Sequence, residues 1–418
     1  MQGIVRLSIR IVSVVFLIAI VWGCGAVPSL HEGSESNYVR LPFVRVLLDS
    51  GQDKLVIDSK ATFSLEALSS GQNLVYYCSN PIIVTLKRGS VSVSMNGQFI
   101  GENFDEIILS PRGNSGYLRY GDTFYRGMMR ILPHGTNLQL INVVHLDDYL
   151  KGVVPPEIGF SGEDELEAIK AQAVAARTYA MSHLSQYQDK PYDMKSDVSD
   201  QVYLGMKVEK NNINRAIDDT RGYVLKSDGN LINAYYHSTC GGYTDDIEEV
   251  WDKAEKPYLR AVNDSGYCSW SKYYNWTETY TGRQLRLMIE QYLSSERGKQ
   301  IKIGDIVDIL VRSKTAGGRV SELVVKAAKG TYSFGGDKIR WAIKRASNPE
   351  LILQSARFKI EMKQDSRGKV ERITLIGGGY GHGVGMCQCG AIGMARKGWN
   401  YKDILLLYYK NTELVKLY

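Results

Sequence analysis

The apolar residues of this chain change their spacing near residue 141, and that change limits the folds open to it. From about Val44 to Leu140, short apolar runs such as KLVIDS, IIVTLKRG and VSVSMNGQFI alternate with turn residues. A two-residue period marks strands with one buried face. Asn96-Gly97 lies between two alternating runs and predicts a tight hairpin. Further on, Leu166, Ile169, Ala173, Ala176, Ala180 and Leu184 recur at three- and four-residue steps, as on one helix face. Ser161 and Asp164 resemble a capping box, and the acidic run Glu163 to Glu165 suits a helix N-terminus. Alanines at 168, 171 and 175 allow close approach from other sides. Leu146 to Leu150 predicts a short helix. Val153-Val154-Pro155-Pro156-Glu157 is expected to be extended or turned, because each proline restricts its predecessor.

The remaining pattern is mixed. Strands flank a turn at Asp228-Gly229-Asn230, a helix is expected over Gln284 to Leu293, and RVSELVVKAAKGTYSFGG reads as a hairpin. GGDKIRWAIKR opens a helix, and YKDILLLYYKNTEL is a short amphipathic helix with a tail. The expected class is α+β, an N-terminal β-rich module followed by a mixed α+β domain. With 418 residues the chain has room for two or three domains. We divide it into a leader (1–23), a tether (24–43), a β-rich accessory module (44–140) and a larger mixed region (141–418).

Charge and cysteine usage narrow the partners. Net charge is +6 and Lys/Arg residues form no run, which argues against nucleic acid. The 27 tyrosines suit either sheet packing or a polar polymer such as a sugar. Arg6 and Arg10 precede the apolar stretch Ile11 to Gly23, as in a secretory signal. Cys24 follows directly, so the alternatives are lipidation at Cys24 and an uncleaved N-terminal anchor. Both place the rest of the chain outside the cytoplasmic membrane. Six cysteines are present, at 24, 78, 240, 268, 387 and 389. Lipidation of Cys24 would leave an odd number.

Three stretches carry candidate chemistry. Glu157, behind two prolines, is a carboxylate of restricted geometry, as acid/base catalysis requires. In AYYHSTCGG, His237 and Cys240 have possible zinc-ligand spacing, and Cys268, His382, Cys387 or Cys389 could add ligands. Nothing in the spacing fixes that assembly, and a Cys240–Cys268 disulfide or packing thiols are the alternatives. Ser238 and His237 are neighbours on a strand and face opposite sides, which disfavours a nucleophile–base pair. GGGYGHGVGMCQCGA (377–391) places seven glycines in fifteen positions. It lacks the register of either common phosphate-binding loop. Its glycines let a ligand approach His382 and the backbone closely.

In order, LDDYLKGVVPPEIG, EAIKAQAVAARTYA, AYYHSTCGGYTDDIEEVW, PYLRAV and GGGYGHGVGMCQCGAIGMARKGWNYKDILLLYYKNTEL resemble the SpoIID/LytB family of bacterial cell-wall proteins, over roughly residues 140 to 418. The resemblance implies a lytic transglycosylase acting on glycan strands stripped of stem peptides, in concert with an N-acetylmuramoyl-L-alanine amidase. The alternative is a non-catalytic amidase enhancer or wall-binding protein. It assigns the acid/base to Glu157 and the motif arginine to Arg177. Tyr258 and Arg260 carry its Tyr-basic motif, where relatives often have Lys in place of Arg260. Gln172, His237, Ser238, Tyr380 and His382 complete the expected substrate surface. Arg177 and Arg260 are expected partners for the lactyl carboxylate of denuded muramic acid. The chain departs from relatives at Tyr380, where they often have Trp, and at Cys387-Gln388-Cys389-Gly390, where they often have Ser-Gln-Trp-Gly. Some members bind zinc through a Cys that is Asp200 here, so neither a metal nor another cofactor is carried over.

Overall fold

The computed structural model describes residues 42–113, 116–159, 162–184 and 186–418. The leader, Cys24, most of the tether and Ser161 of the expected capping box lie outside those residues. Among the described residues no helix is long and apolar enough to cross a membrane.

Two-residue periodicity builds two sheets. One has seven strands and includes Phe43–Gln52, Phe63–Ser69, Glu106–Pro111, Met128–His134 and Asn137–His145. The other has six and includes Lys54–Asp58, Ile82–Lys87, Ser90–Met95 and Gln98–Phe104. Their inward residues, among them Val46, Leu65 and Ile131 from one and Ile57, Val84 and Val93 from the other, are buried in one apolar cluster. The expected hairpin at Asn96-Gly97 is present, with φ of 52° and 74°. Positive φ at both turn residues matches the twist of the flanking strands.

The β-rich part is not sealed off at residue 140. Asn137–His145 runs across that position and leads straight into a helix, Leu146–Ile158. Met194–Lys195, from well beyond it, pairs in parallel with Phe43–Gln52. The same apolar cluster extends from Val44 to Tyr409.

Leu146–Ile158 corrects the expectation of an extended Val-Val-Pro-Pro-Glu segment, since Pro155 and Pro156 lie inside the helix, in its last turn. Proline deletes an amide from the helical ladder, and Pro156 leaves the Gly152 carbonyl without its intrahelical donor. The Leu204 amide fills that place at 3.1 Å. Gly159, at φ 70°, ends the helix and donates its amide to Pro155 O. The second helix, Leu166–Ser182, is the expected alanine-rich one, and Ala168, Ala171, Ala173, Ala175, Ala176 and Ala180 are all buried. It packs against the first helix, Asn211–Asp219, Gln388–Ala395 and Tyr401–Tyr408.

A second apolar core runs from Trp276 to Leu375. It joins the helix Gly282–Arg297 to two three-stranded sheets, one of Trp276–Thr281, Phe358–Gln364 and Val370–Gly377, the other of Ile306–Lys314, Val320–Ala327 and Gly330–Gly335. The expected C-terminal tail is instead a strand, Glu413–Lys416, antiparallel to Tyr223–Ser227.

Gly152 tests the packing of the first helix. A Cβ there would meet the Tyr203 ring at 2.5 Å and Gly205 N at 3.1 Å. Gly→Ala in a helix interior ordinarily gains up to about 1 kcal/mol. Gly152→Ala is expected instead to cost about 1–3 kcal/mol through overpacking, read as a lower urea midpoint at unchanged m-value.

Candidate active site

The last turn of the first helix delivers Glu157 to a pocket of ≈ 500 Å³. The segment Asp200–Val202 wraps it from one side, and the Val202 amide donates to Glu157 Oε1 at 3.2 Å. Behind, the buried Tyr149 hydroxyl donates to Gln201 Oε1 at 3.2 Å, and Gln201 Nε2 donates to the Tyr236 hydroxyl at 2.9 Å. Glu157 is half-buried, and desolvation pushes its pKa up to about 7 against the opposing Val202 hydrogen bond. Its place at the negative end of a helix acts in the same direction.

The opposite wall comes from two distant stretches. Tyr236–His237 pairs in parallel with Met386–Cys387. The glycine-rich stretch reaches this pairing through Gly379, Gly381, Gly383 and Gly385, all at positive φ. A Cβ on Gly385 would lie 2.0 Å from the Tyr235 carbonyl, and one on Gly381 2.7 Å from His237 Cβ. Glycine at these positions lets the two backbones approach.

His237, Ser238, Tyr380 and His382 line the pocket with Glu157. His382 has both ring nitrogens occupied, whereas His237 Nε2 has no hydrogen-bond partner. His382 Nε2 donates to Tyr236 O at 2.9 Å, and its Nδ1 accepts from Val384 N at 3.1 Å. Burial brings its pKa down to about 4, so the ring is neutral and wedged. His237 is buried, with Nδ1 3.2 Å from Val384 O, and burial holds its pKa well below the ordinary histidine range. Tyr380 lies 4.4 Å from the Tyr273 ring, between centroids.

Arg177, Arg260, Tyr258 and Gln172 are not among the pocket-lining residues. Arg177 is fully buried, and its guanidinium donates to Asp147 Oδ1, Tyr223 O and Ile217 O. It ties the first helix to the end of Asn211–Asp219 and to the following strand, so a role in holding substrate is corrected to a structural one. Arg260 pairs with Asp246, Glu248 and Glu255. The Tyr258 hydroxyl meets the Asn233 amide at 3.5 Å. Gln172 is buried and accepts from Gln388, which does line the pocket.

Other lining residues were given no role in the sequence reading, and three of them sit inside its motifs. Tyr179, Tyr235 and Trp251 form an aromatic wall, with Tyr235 and Trp251 edge to face at 5.0 Å. Arg340 supplies the cation and comes from the second core, with Nη1 donating to Asp337 and Nε to Leu353 O. Asp200 is a second carboxylate at the wall. Its oxygens accept from Gln186 Nε2, the Tyr187 hydroxyl and Lys195 N, which fixes it in the fold. A larger cavity of ≈ 700 Å³ shares Trp251 but contains neither Glu157 nor either pocket histidine. The smaller pocket holds the perturbed carboxyl and is the better candidate.

Residues 134–226 match the family described as Stage II sporulation protein, and residues 266–385 match a domain of unknown function (DUF8618). The second apolar core falls within the latter range. The chain is 29% identical over 364 residues to an uncharacterised protein of Brachyspira hyodysenteriae, covering 86% of this chain and 91% of that one. It is 32% identical over 301 residues to the Amidase enhancer of Bacillus subtilis, covering 63% of this chain and 40% of that one. It is 28% identical over 308 residues to Stage II sporulation protein D of Bacillus subtilis, covering 70% of this chain and 81% of that one.

A carboxyl whose folded pKa is about 7 and whose ordinary value is 4.5 binds its proton more tightly in the native state. Stability is therefore lost as pH rises from about 4.5 through about 7. Glu157→Gln, neutral throughout, is expected to be more stable than the parent by a few kcal/mol at pH 8 and to match it near pH 4. Thermal melts across that range check this. Equal gaps at both ends would contradict a desolvated carboxyl.

Proposed function

The chain belongs to the SpoIID family, and from that premise we propose that it is an exported peptidoglycan lytic transglycosylase with Glu157 as its single acid/base. The observation that carries this reading is a pocket carboxyl whose desolvation keeps it protonated to near neutral pH. Protonated Glu157 donates its proton to the glycosidic oxygen between MurNAc and GlcNAc as the bond from that oxygen to C1 breaks. The positive charge left on C1 and the ring oxygen is met by the Glu157 carboxylate. That carboxylate then takes the proton of the muramic acid 6-hydroxyl, and O6 bonds to C1 to close a 1,6-anhydro ring. Glu157 ends protonated, as it began, and no water is consumed. Hydrolysis with two carboxylates needs a second one free to direct water or attack the sugar. Asp200, tied by three donors, is poorly suited to that.

Tyr179, Tyr235, Trp251 and Tyr380 present the flat faces on which sugar rings stack. Arg340, rather than Arg177 or Arg260, is the pocket cation that suits the free lactyl carboxylate of peptide-stripped muramic acid. In this reading residues 44–140 brace the helix that carries Glu157, and the N-terminal segment tethers the protein to the outer face of the membrane. A second reading, amidase enhancement without catalysis, is favoured by the similarity to the Amidase enhancer of Bacillus subtilis.

Incubation with denuded glycan strands, followed by mass spectrometry of the products, separates the two. Anhydro-muramic ends are expected with the parent, falling at least about 10²-fold in Glu157→Gln. The parent kcat/KM is expected to decline about tenfold per pH unit above about 7, as the acid is lost. Anhydro product from Glu157→Gln at the parental rate would overturn the mechanism. Stimulation of an amidase with no anhydro product would establish the second reading.

A further inference from the structure

Three cysteines and an aspartate meet beside the Tyr236–His237 and Met386–Cys387 pairing. The ligand atoms of Cys240, Cys268, Cys387 and Asp264 all lie within 4.8 Å of one another, and all four residues are buried. They come from three separate stretches of chain. The Cys240 and Cys268 sulfurs are 3.5 Å apart. Tetrahedral zinc with Zn–S near 2.3 Å and Zn–O near 2.0 Å requires donor separations of roughly 3.3–3.8 Å. We propose that this cluster is a structural zinc site with a three-thiolate, one-carboxylate ligand set.

Backbone amides point at two of the sulfurs. Gly242 N donates to Cys240 Sγ at 3.3 Å, Cys240 N to Cys387 Sγ at 3.1 Å, and Gly390 N to Cys387 Sγ at 3.2 Å. Amide hydrogen bonds to sulfur stabilise its anionic, metal-binding form. Asp264 is likewise oriented, with Gly266 N on Oδ1 at 3.0 Å and Cys268 N on Oδ2 at 3.3 Å. A fully buried carboxylate beside three sulfurs is costly unless a cation or proton offsets it. The buried Tyr408 hydroxyl has no hydrogen-bond partner. It converges with Asp264 Oδ2 on the space where Gly390 has no side chain, since a Cβ there would lie 2.1 Å from the hydroxyl and 3.0 Å from the carboxylate. That leaves a donor poised at the edge of the ligand set.

A disulfide between Cys240 and Cys268 accounts for two sulfurs and leaves Cys387 and Asp264 buried against it. Zinc accounts for all four groups. Cys389 is outside the set, accepting from the Thr239 hydroxyl at 3.4 Å. Neither His237 nor His382 belongs to it, so the zinc spacing read from His237 and Cys240 does not form. Four protein ligands close the coordination sphere, so the ion is structural and performs no step at Glu157. Its place is nonetheless functional. Cys240 lies two residues after Ser238 and Cys387 directly before Gln388, both of which line the pocket. The ion would clamp the two stretches that form the wall opposite Glu157, whatever reaction the pocket performs.

Elemental analysis of the purified full chain is expected to find about one zinc per chain. Zinc should be lost in Cys240→Ser and Cys387→Ser and kept in Cys78→Ser and Cys389→Ser. Cobalt exchanged into the parent should show tetrahedral d–d bands with thiolate charge transfer. Asp264→Cys should intensify that charge transfer, a gain that survives if the serine variants fail to fold. Chelation should lower the melting temperature by several degrees, restored by zinc. The proposal is overturned by a metal-free chain whose melting temperature ignores zinc, by a Cys240–Cys268 disulfide in unreduced mass spectra, or by full zinc retention in Cys240→Ser.

Discussion

A parallel pairing of only two residues from each side, Tyr236–His237 with Met386–Cys387, holds together most of what gives this protein its candidate chemistry. It joins segments about 150 residues apart in the chain, and so carries a large loop-closure cost for few hydrogen bonds. The pairing is supported by side chains around it. His382 and His237 lock onto the Tyr236 and Val384 carbonyls. Next to them, where Cys387 pairs with His237, the cysteine and aspartate cluster gathers. The glycines of the 377–391 stretch follow from the same constraint, since a side chain on Gly385 would strike the Tyr235 carbonyl. Their density reflects backbone against backbone rather than backbone against phosphate.

Glu157 sits where stability and acid chemistry conflict. Its helix contains two prolines and ends against a glycine, and its carboxyl is desolvated in the last turn. The prolines and the desolvated carboxyl each cost the folded state something, and the fold compensates nearby. The Leu204 amide takes the carbonyl that Pro156 leaves free, and Val202 donates to the carboxyl itself. Arg177 anchors the other end of the same helix through Asp147. A helix tip with a desolvated carboxyl therefore stands on a base held by the Arg177–Asp147 ion pair. Removing one partner from such a pair leaves an uncompensated charge, which makes Arg177 important without contact with a ligand.

Much of the architecture was legible in local pattern. Asn96-Gly97 specifies its hairpin because both residues accept positive φ. The stripe from Leu166 to Ala180 specifies a helix because its burial has helical period. Local reasoning failed at the two prolines, where helical packing around Gly152 outweighed their preference for extended predecessors. It also failed at the C-terminus, where Glu413–Lys416 becomes a strand only because Tyr223–Ser227 is there to pair with it. The roles expected of Arg177 and Arg260 failed for a related reason. A motif arginine is equally apt for a buried carboxylate and for a ligand, and only its neighbours distinguish them.

The sequence alone determined the α+β class, the switch from strand to helical period near residue 141, and several of the stretches that line the pocket. It drew attention to Glu157 through the two prolines before it and, more firmly, through the motif resemblance. Only the tertiary structure decided which groups meet it. Arg340 and Trp251 reach the pocket from elements with their own packing logic. Cys240, Cys268 and Cys387 converge although no spacing between them signals it. Burial and proximity across hundreds of residues are set by how surfaces pack, and a one-dimensional pattern carries that information only where the contacts are local.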